Sequence, residues 1–190
     1  LVNYGVGAYP FSLFCADLDG DNDLDLAVAN SYSLVSPLND DSAKTLVILV
    51  WQKAIDPDSN DTVQYDLYLS RSNVFNSDST VVYDSLLDTT FTGSLDLKLW
   101  HWLVKAYDKW GAERWSDQTW SFYVYLCGDC NADGVVNSAD VSYLINYFFI
   151  SGPAPIPWKA GDVNGNNSVN SADVVYIINY LFVGGPAPCG

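Results

Sequence analysis

A long internal repeat at the C-terminal end constrains the fold more than any other feature. GDCNADGVVNSADVSYLINYFFISGPAP begins at Gly128 and GDVNGNNSVNSADVVYIINYLFVGGPAP begins at Gly161, an offset of 33 residues. The match runs through an acidic loop, a helical pattern and a Gly-Pro tail. Each copy therefore reads as one supersecondary unit that must bury its apolar face against the other. Val141, Leu144, Ile145, Phe148 and Phe149 follow i, i+3, i+4, i+7, i+8 spacing, as do Val174, Ile177, Ile178, Leu181 and Phe182. That spacing predicts two amphipathic helices whose stripes pack together. Gly152-Pro153 and Gly185-Pro186 are expected to stop them. A second stripe, Tyr143/Tyr147 and Tyr176/Tyr180, either completes the core or offers aromatic anchors to a partner.

The loops ahead of the helices have the spacing of a calcium site. Calcium takes about six to eight hard oxygen ligands from a loop that curls around it. With Asp129 at position 1, Asn131, Asp133, Val135, Asn137 and Asp140 fall at positions 3, 5, 7, 9 and 12, and Gly134 at the sharp turn of position 6. Val135 offers only its carbonyl. The second copy places Asp162, Asn164, Asn166, Ser168, Asn170 and Asp173 at the same positions. Asn167 replaces the turn glycine there, and Asn tolerates a left-handed backbone. A third acidic loop near the N-terminus sets Asp17, Asp19, Asp21, Asp23 and Asp25 at positions 1, 3, 5, 7 and 9. The three loops hold five, three and two carboxylates in chain order, so calcium is expected at three sites, more weakly at the 162 loop than at the 129 loop.

Composition agrees. The formal net charge is -15, and Glu113 is the only Glu among 23 acidic residues. Short Asp side chains suit tight oxygen-ligand loops. Three calcium ions would cancel six charges and leave about -9, so folding should be linked to calcium. Eight scattered Lys and Arg could not neutralise a phosphate backbone, which excludes a nucleic-acid partner. No apolar stretch reaches the roughly 18–20 residues of a membrane span. The chain has no Met and no visible signal peptide, as expected of a mature or truncated product. Four cysteines and a lone His101 argue for disulfides rather than zinc. Cys127 and Cys189 bracket the repeat pair, and Cys127–Cys189 is the expected clasp. Cys130–Cys189 is its rival, with Cys15 left to pair with the remaining cysteine or another chain.

Between the acidic ends, the runs Leu46–Trp51, Tyr65–Leu69, Thr80–Leu87, Leu99–Tyr107 and Thr119–Leu126 are rich in β-branched and aromatic residues and separated by turn signals. They predict a β-sandwich in which Trp102, Val104 and Ala106 share a core face. Asn60-Asp61-Thr62 is a glycosylation sequon in a turn. No catalytic constellation is visible. His101 reads as structural, and Trp110 and Trp115 as loop packing or a sugar-stacking pair.

The repeats resemble the calcium-loop and helix unit of a type I dockerin, over Gly128 to about Pro188. The resemblance implies a small all-α module that binds cohesin domains, with calcium ligands at Asp129, Asn131, Asp133, Asn137 and Asp140 and at Asp162, Asn164, Asn166, Asn170 and Asp173. It places partner recognition at Ser138-Ala139 and Ser171-Ala172, identical in both copies; the aromatic stripe adds Tyr143 and Tyr176 as candidate partner-binding residues. Ile145-Asn146 and Ile178-Asn179 stand where the family often carries basic residues. The stretch from Tyr9 to Asn39, through Ala16-Asp17-Leu18-Asp19-Gly20-Asp21 and Asp23-Leu24-Asp25-Leu26-Ala27-Val28-Ala29-Asn30, resembles an FG-GAP or VCBS repeat, a partial β-propeller blade. Tyr65-Asp66-Leu67-Tyr68-Leu69-Ser70 and Trp102-Leu103-Val104-Lys105-Ala106-Tyr107-Asp108 resemble a fibronectin-type module.

The expected organisation is therefore multidomain: a blade-like repeat at 1–39, an immunoglobulin- or fibronectin-like β-sandwich at 40–126 and a dockerin-like module at 127–190. The expected function is that of a secreted or cell-surface calcium-binding docking protein from a bacterium, not an enzyme, with a cohesin-like partner. Two alternatives stand beside it. One is a structural subunit of an extracellular filament or surface layer that self-associates through its N-terminal strands. The other is the non-catalytic tail of a secreted hydrolase.

Overall fold

The computed structural model describes residues 10–16, 25–30, 32–55, 62–109 and 112–189, the first two segments as backbone only. Asp17, Asp19, Asp21 and Asp23 of the first acidic loop lie outside the described residues, as do Asn60 and Trp110. Asp25 opens a strand whose side chains are not described.

The protein is mostly β-sheet, with two short helices near its C-terminus. Strand β1 (Pro10–Ala16) pairs antiparallel with β2 (Asp25–Asn30), from Pro10 opposite Asn30 to Ala16 opposite Asp25. A three-stranded sheet has the order β3 (Leu34–Ser36), β5 (Leu46–Trp51), β8 (Thr90–Ser94). A six-stranded sheet has the order β4 (Asp41–Lys44), β11 (Trp120–Tyr125), β9 (Lys98–Tyr107), β6 (Gln64–Ser70), β7 (Thr80–Leu86), and β10 (Glu113–Trp115) also pairs with β9. Strand β3 belongs to the expected N-terminal segment 1–39, yet it hydrogen-bonds to β5.

Period-two alternation places the core. Strand β9 buries Trp100, Trp102, Val104 and Ala106, and β5 buries Val47, Leu49 and Trp51 while exposing Leu46 and Ile48. Trp51 meets Tyr65 edge-on, their ring centroids 5.7 Å apart, and the buried Tyr32 hydroxyl donates to the Val104 carbonyl at 2.6 Å. All five apolar runs expected from sequence carry strands. Strands β3, β4, β8 and β10 were not expected. They are three to five residues long, and β4, β8 and β10 are mostly polar, so pairing with a neighbour rather than residue type makes strands of those three.

Two compact units emerge among the described residues. One gathers those of 1–36, 49–91 and 101–120; the other gathers those of 37–48, 92–100 and 121–190. The repeats thus share a unit with β4 and most of β11. Within that unit β4 runs parallel to β11, with Asp41 opposite Phe122 and Lys44 opposite Tyr125. This register brings the Asp41 and Lys44 side chains to the repeats. Lys159 Nζ sits 2.8 Å from Asp41 Oδ1, and Lys44 Nζ donates to the Cys189 carbonyl at 3.1 Å.

Candidate metal centre

Each repeat folds as a loop followed by a helix. Helix α1 spans Ser138–Phe149 and α2 spans Ser171–Ile178, the latter extended by a π-turn through Asn179–Val183. Val141, Leu144, Val174 and Ile177 form a shared buried core with Cys130 and Val163. Phe148, Ile178 and Leu181 pack against it, whereas Phe149 and Phe182 are 69% and 67% exposed. At about 100° per residue, Phe149 falls roughly 100° from the centre of the Val141, Leu144, Phe148 stripe, outside the buried arc. The expected packing of the whole five-residue stripe is thus corrected to its inner part. The helices end on Ser151 and Gly184, both left-handed at φ 61° and 82°, and the N–H groups of Gly152 and Gly185 turn back to Asn146 and Asn179.

The two loops share one hydrogen-bond pattern. Asp129 Oδ1 accepts from Asp133 N at 3.0 Å and its Oδ2 from Gly134 N at 2.9 Å. Asp162 repeats this with Asn166 N at 3.0 Å and Asn167 N at 2.8 Å. Asp133 Oδ1 and Asn166 Oδ1 accept from Val135 N and Ser168 N, both at 2.9 Å. Asn137 Oδ1 accepts from Ala139 N, and Asn170 Oδ1 from Ala172 N. Asp140 Oδ1 takes the N–H groups of Cys130 and Asn131 while its Oδ2 takes that of Asn137; Asp173 takes those of Asn164 and Asn170. The position-6 residues, Gly134 and Asn167, are both left-handed, at φ 91° and 63°.

Asp129, Asp140, Asp162 and Asp173 are buried, and no basic side chain pairs with them among the described residues. Burial pushes the Asp129 carboxyl up despite the N–H donors of Gly134 and Asp133, and the Asp140 and Asp133 carboxylates push it further. A divalent cation would reverse both upward pressures. Among the described residues no group of three or more His, Cys, Asp or Glu side chains gathers as a metal site by itself. Each loop mixes two or three carboxylates with Asn side chains and the Val135 or Ser168 carbonyl. That all-oxygen donor set fits a hard ion such as calcium and does not fit zinc.

Some of this site escaped the sequence reading. Asn137 and Asn170 are helix N-caps, and Asp140 and Asp173 close capping boxes as the third residues of α1 and α2. The signal was the Asn-x-x-Asp spacing just ahead of an apolar-periodic run. Cys130 is free and buried in the core, at the position Val163 holds in the second repeat. Cys127 and Cys189 are disulfide-bonded with Cα atoms 6.0 Å apart. Ser138, Ala139, Ser171 and Ala172 are exposed. Tyr143 and Tyr176 are half-buried against the core, and their hydroxyls donate to the Ala154 and Ala187 carbonyls at 3.2 and 3.3 Å. Both tyrosines therefore hold down the tail of their own repeat.

Paired acidic loops, each capping a helix and sharing one small core, define a duplicated calcium-loop module. Residues 127–182 match the family model of the type I dockerin domain. No curated protein matches the chain. A dockerin segment implies calcium-dependent docking onto another protein. No helix among the described residues is long and apolar enough to cross a membrane.

Proposed function

We propose that the protein is a secreted, non-catalytic docking protein whose C-terminal module, residues 127–190, attaches it to a cohesin-type partner when calcium fills both loops. The β-rich part, read as an immunoglobulin- or fibronectin-like sandwich, presents that module. The observation that carries this reading is the pair of matching loops, each holding two buried carboxylates with no cationic side chain paired to them among the described residues. The Cys127–Cys189 bond supports an oxidising, extracellular setting. Asp129, Asn131, Asp133, Asn137 and Asp140, with the Val135 carbonyl, hold one ion. Asp162, Asn164, Asn166, Asn170 and Asp173, with the Ser168 carbonyl, hold the other. A third ion belongs to Asp17, Asp19, Asp21, Asp23 and Asp25.

The exposed Ser-Ala pairs at the starts of α1 and α2, together with the half-buried Tyr143 and Tyr176, form the contact surface. Capture of the full chain on immobilised type I cohesins, in calcium and in chelator, tests the reading. Calcium-dependent capture that is lost in Ser138→Asp/Ser171→Asp is expected; equal capture in chelator would sink it. A second reading, self-association through the N-terminal strands, draws on β1 and β2 forming a two-stranded sheet of their own. Sedimentation of the purified chain distinguishes the two, because a monomer at micromolar concentration excludes self-association.

A further inference from the structure

The two repeats are joined in two different ways. Moving by the repeat offset of 33, Cys127 aligns with Ala160 and Cys189 with Ile156. In the first repeat the tail runs on directly: Pro155, Ile156 and the turn at Trp158–Gly161 lead into Asp162. Pro155 packs so closely on Gly161 that a Cβ there would lie 2.8 Å from its Cγ. The second repeat makes the same contact without a chain to enforce it. Pro188 lies on Gly128, where a Cβ would stand 3.1 Å from Pro188 Cγ, although the two are 60 residues apart (188 minus 128). The Cys127–Cys189 bond occupies the place of the missing segment.

That bond also touches the second loop. The Cys189 N–H donates to the Val163 carbonyl at 2.8 Å, and Val163 is position 2 of that loop. Both sulfur atoms lie against the Asp162 carbonyl oxygen, 3.6 Å away for Cys127 and 3.2 Å for Cys189. The Gly128 N–H donates to the Ala160 carbonyl at 2.9 Å, so the entrances of the two loops are tied to each other. Cys130 takes no part, being the core counterpart of Val163.

We propose that the Cys127–Cys189 disulfide is a positioning device for both calcium loops, closing the repeat pair into a covalent ring that sets both loop entrances before metal arrives. It rests on the calcium-docking reading above. Without the bond, the tail is held by the Pro188 contact, the Cys189–Val163 hydrogen bond, the Tyr176 hydroxyl on Ala187 and the exposed Lys44 contact. The fraction of molecules with both entrances in place then falls, and the apparent dissociation constant rises in proportion.

The experiment uses the full chain. Calcium is titrated calorimetrically into the disulfide-intact protein and into Cys127→Ser/Cys189→Ser. In parallel, calcium-saturated wild-type protein is reduced with dithiothreitol, alkylated and mixed with excess chelator to measure calcium release. Affinity about tenfold weaker at both loops is expected, with release faster by a similar factor and an unchanged helical signal at saturating calcium. A change confined to one loop, or affinities and rates within twofold of the intact protein, overturns the proposal. Should the double variant lose its helices even in saturating calcium, the release rate of reduced wild-type protein decides. An intact protein that takes up no calcium overturns the docking reading along with this one.

Discussion

Ala132 sits at loop position 4 with φ at 58°, a left-handed conformation that the second repeat gives to Gly165, at 72°. An L-residue pays roughly 1 kcal/mol for that backbone. Ala132→Gly should therefore raise stability by about 0.5–1 kcal/mol, read as a higher melting temperature in chelator. Gly134 makes the opposite case. Its φ is 91°, and the nearest atom to an added Cβ is Leu97 Cδ1 at 4.0 Å, so space is free and only the backbone objects. Gly134→Ala should cost about 1–2 kcal/mol with no steric clash, and a melt unchanged in both media would refute this. The left-handed turn at position 6 was legible, because loop spacing alone marked Gly134 and Asn167. Position 4 was not. Alanine carries no signal of a positive φ, and only its repeat partner Gly165 hints at one.

The loop and the helix it precedes share residues. Asp140 is buried, takes three backbone N–H groups and forms the capping box with Asn137, so it organises the start of α1 through backbone hydrogen bonds of its own. Asp140→Asn would turn an amide donor toward one of those N–H groups. In chelator it should destabilise the module by about 1–3 kcal/mol, measured by loss of helical circular dichroism on heating. An effect seen only in calcium would mean that Asp140 serves the metal alone. Helix periodicity showed which elements exist and which side of each is buried, through Val141, Leu144, Val174 and Ile177. It could not show where the burial ends, since Phe149 and Phe182 fit the i+8 pattern but lie past the shared core. The pairing of β4 with β11 was invisible for another reason. Asp41-Ser42-Ala43-Lys44 has no strand pattern, and a parallel neighbour more than 75 residues away (Phe122 minus Asp41, 81) supplies its partner.

Charge is the property of the molecule as a whole that decides its behaviour. One ion pair joins β4 to the repeats, and Lys159 holds the Asp41 carboxyl below its ordinary value through their hydrogen bond, which outweighs the opposing effect of burial. A depressed carboxyl contributes stability that is present above its unfolded pKa of about 3.9 and is lost as pH falls through the lower folded value. The side chains are 47% and 37% exposed, so solvent screens the pair and its worth is below about 1 kcal/mol. Lys159→Met should cost less than about 1 kcal/mol at neutral pH and nothing once Asp41 is protonated, so that stability falls slightly less steeply below about pH 4 than in the unaltered protein. Calcium has more to offset. At -15 the chain repels itself, and two ions in the described loops would bring it to -11 (-15 plus 4). Each site stabilises by about 2.7 kcal/mol when free calcium is a hundredfold above its dissociation constant. The loops differ by one carboxylate, Asp133 against Asn166, at matching positions with matching hydrogen bonds. The first loop should thus bind more tightly, on the order of tenfold. Asp133→Asn should weaken the first loop to the level of the second and shrink the gap between melting temperatures in calcium and chelator. Asn166→Asp should tighten the second loop and widen that gap. Because each swap keeps the side chain's shape, opposite shifts in the two variants would trace calcium-linked stability to carboxylate count. Shifts in the same direction would place its origin in loop geometry instead.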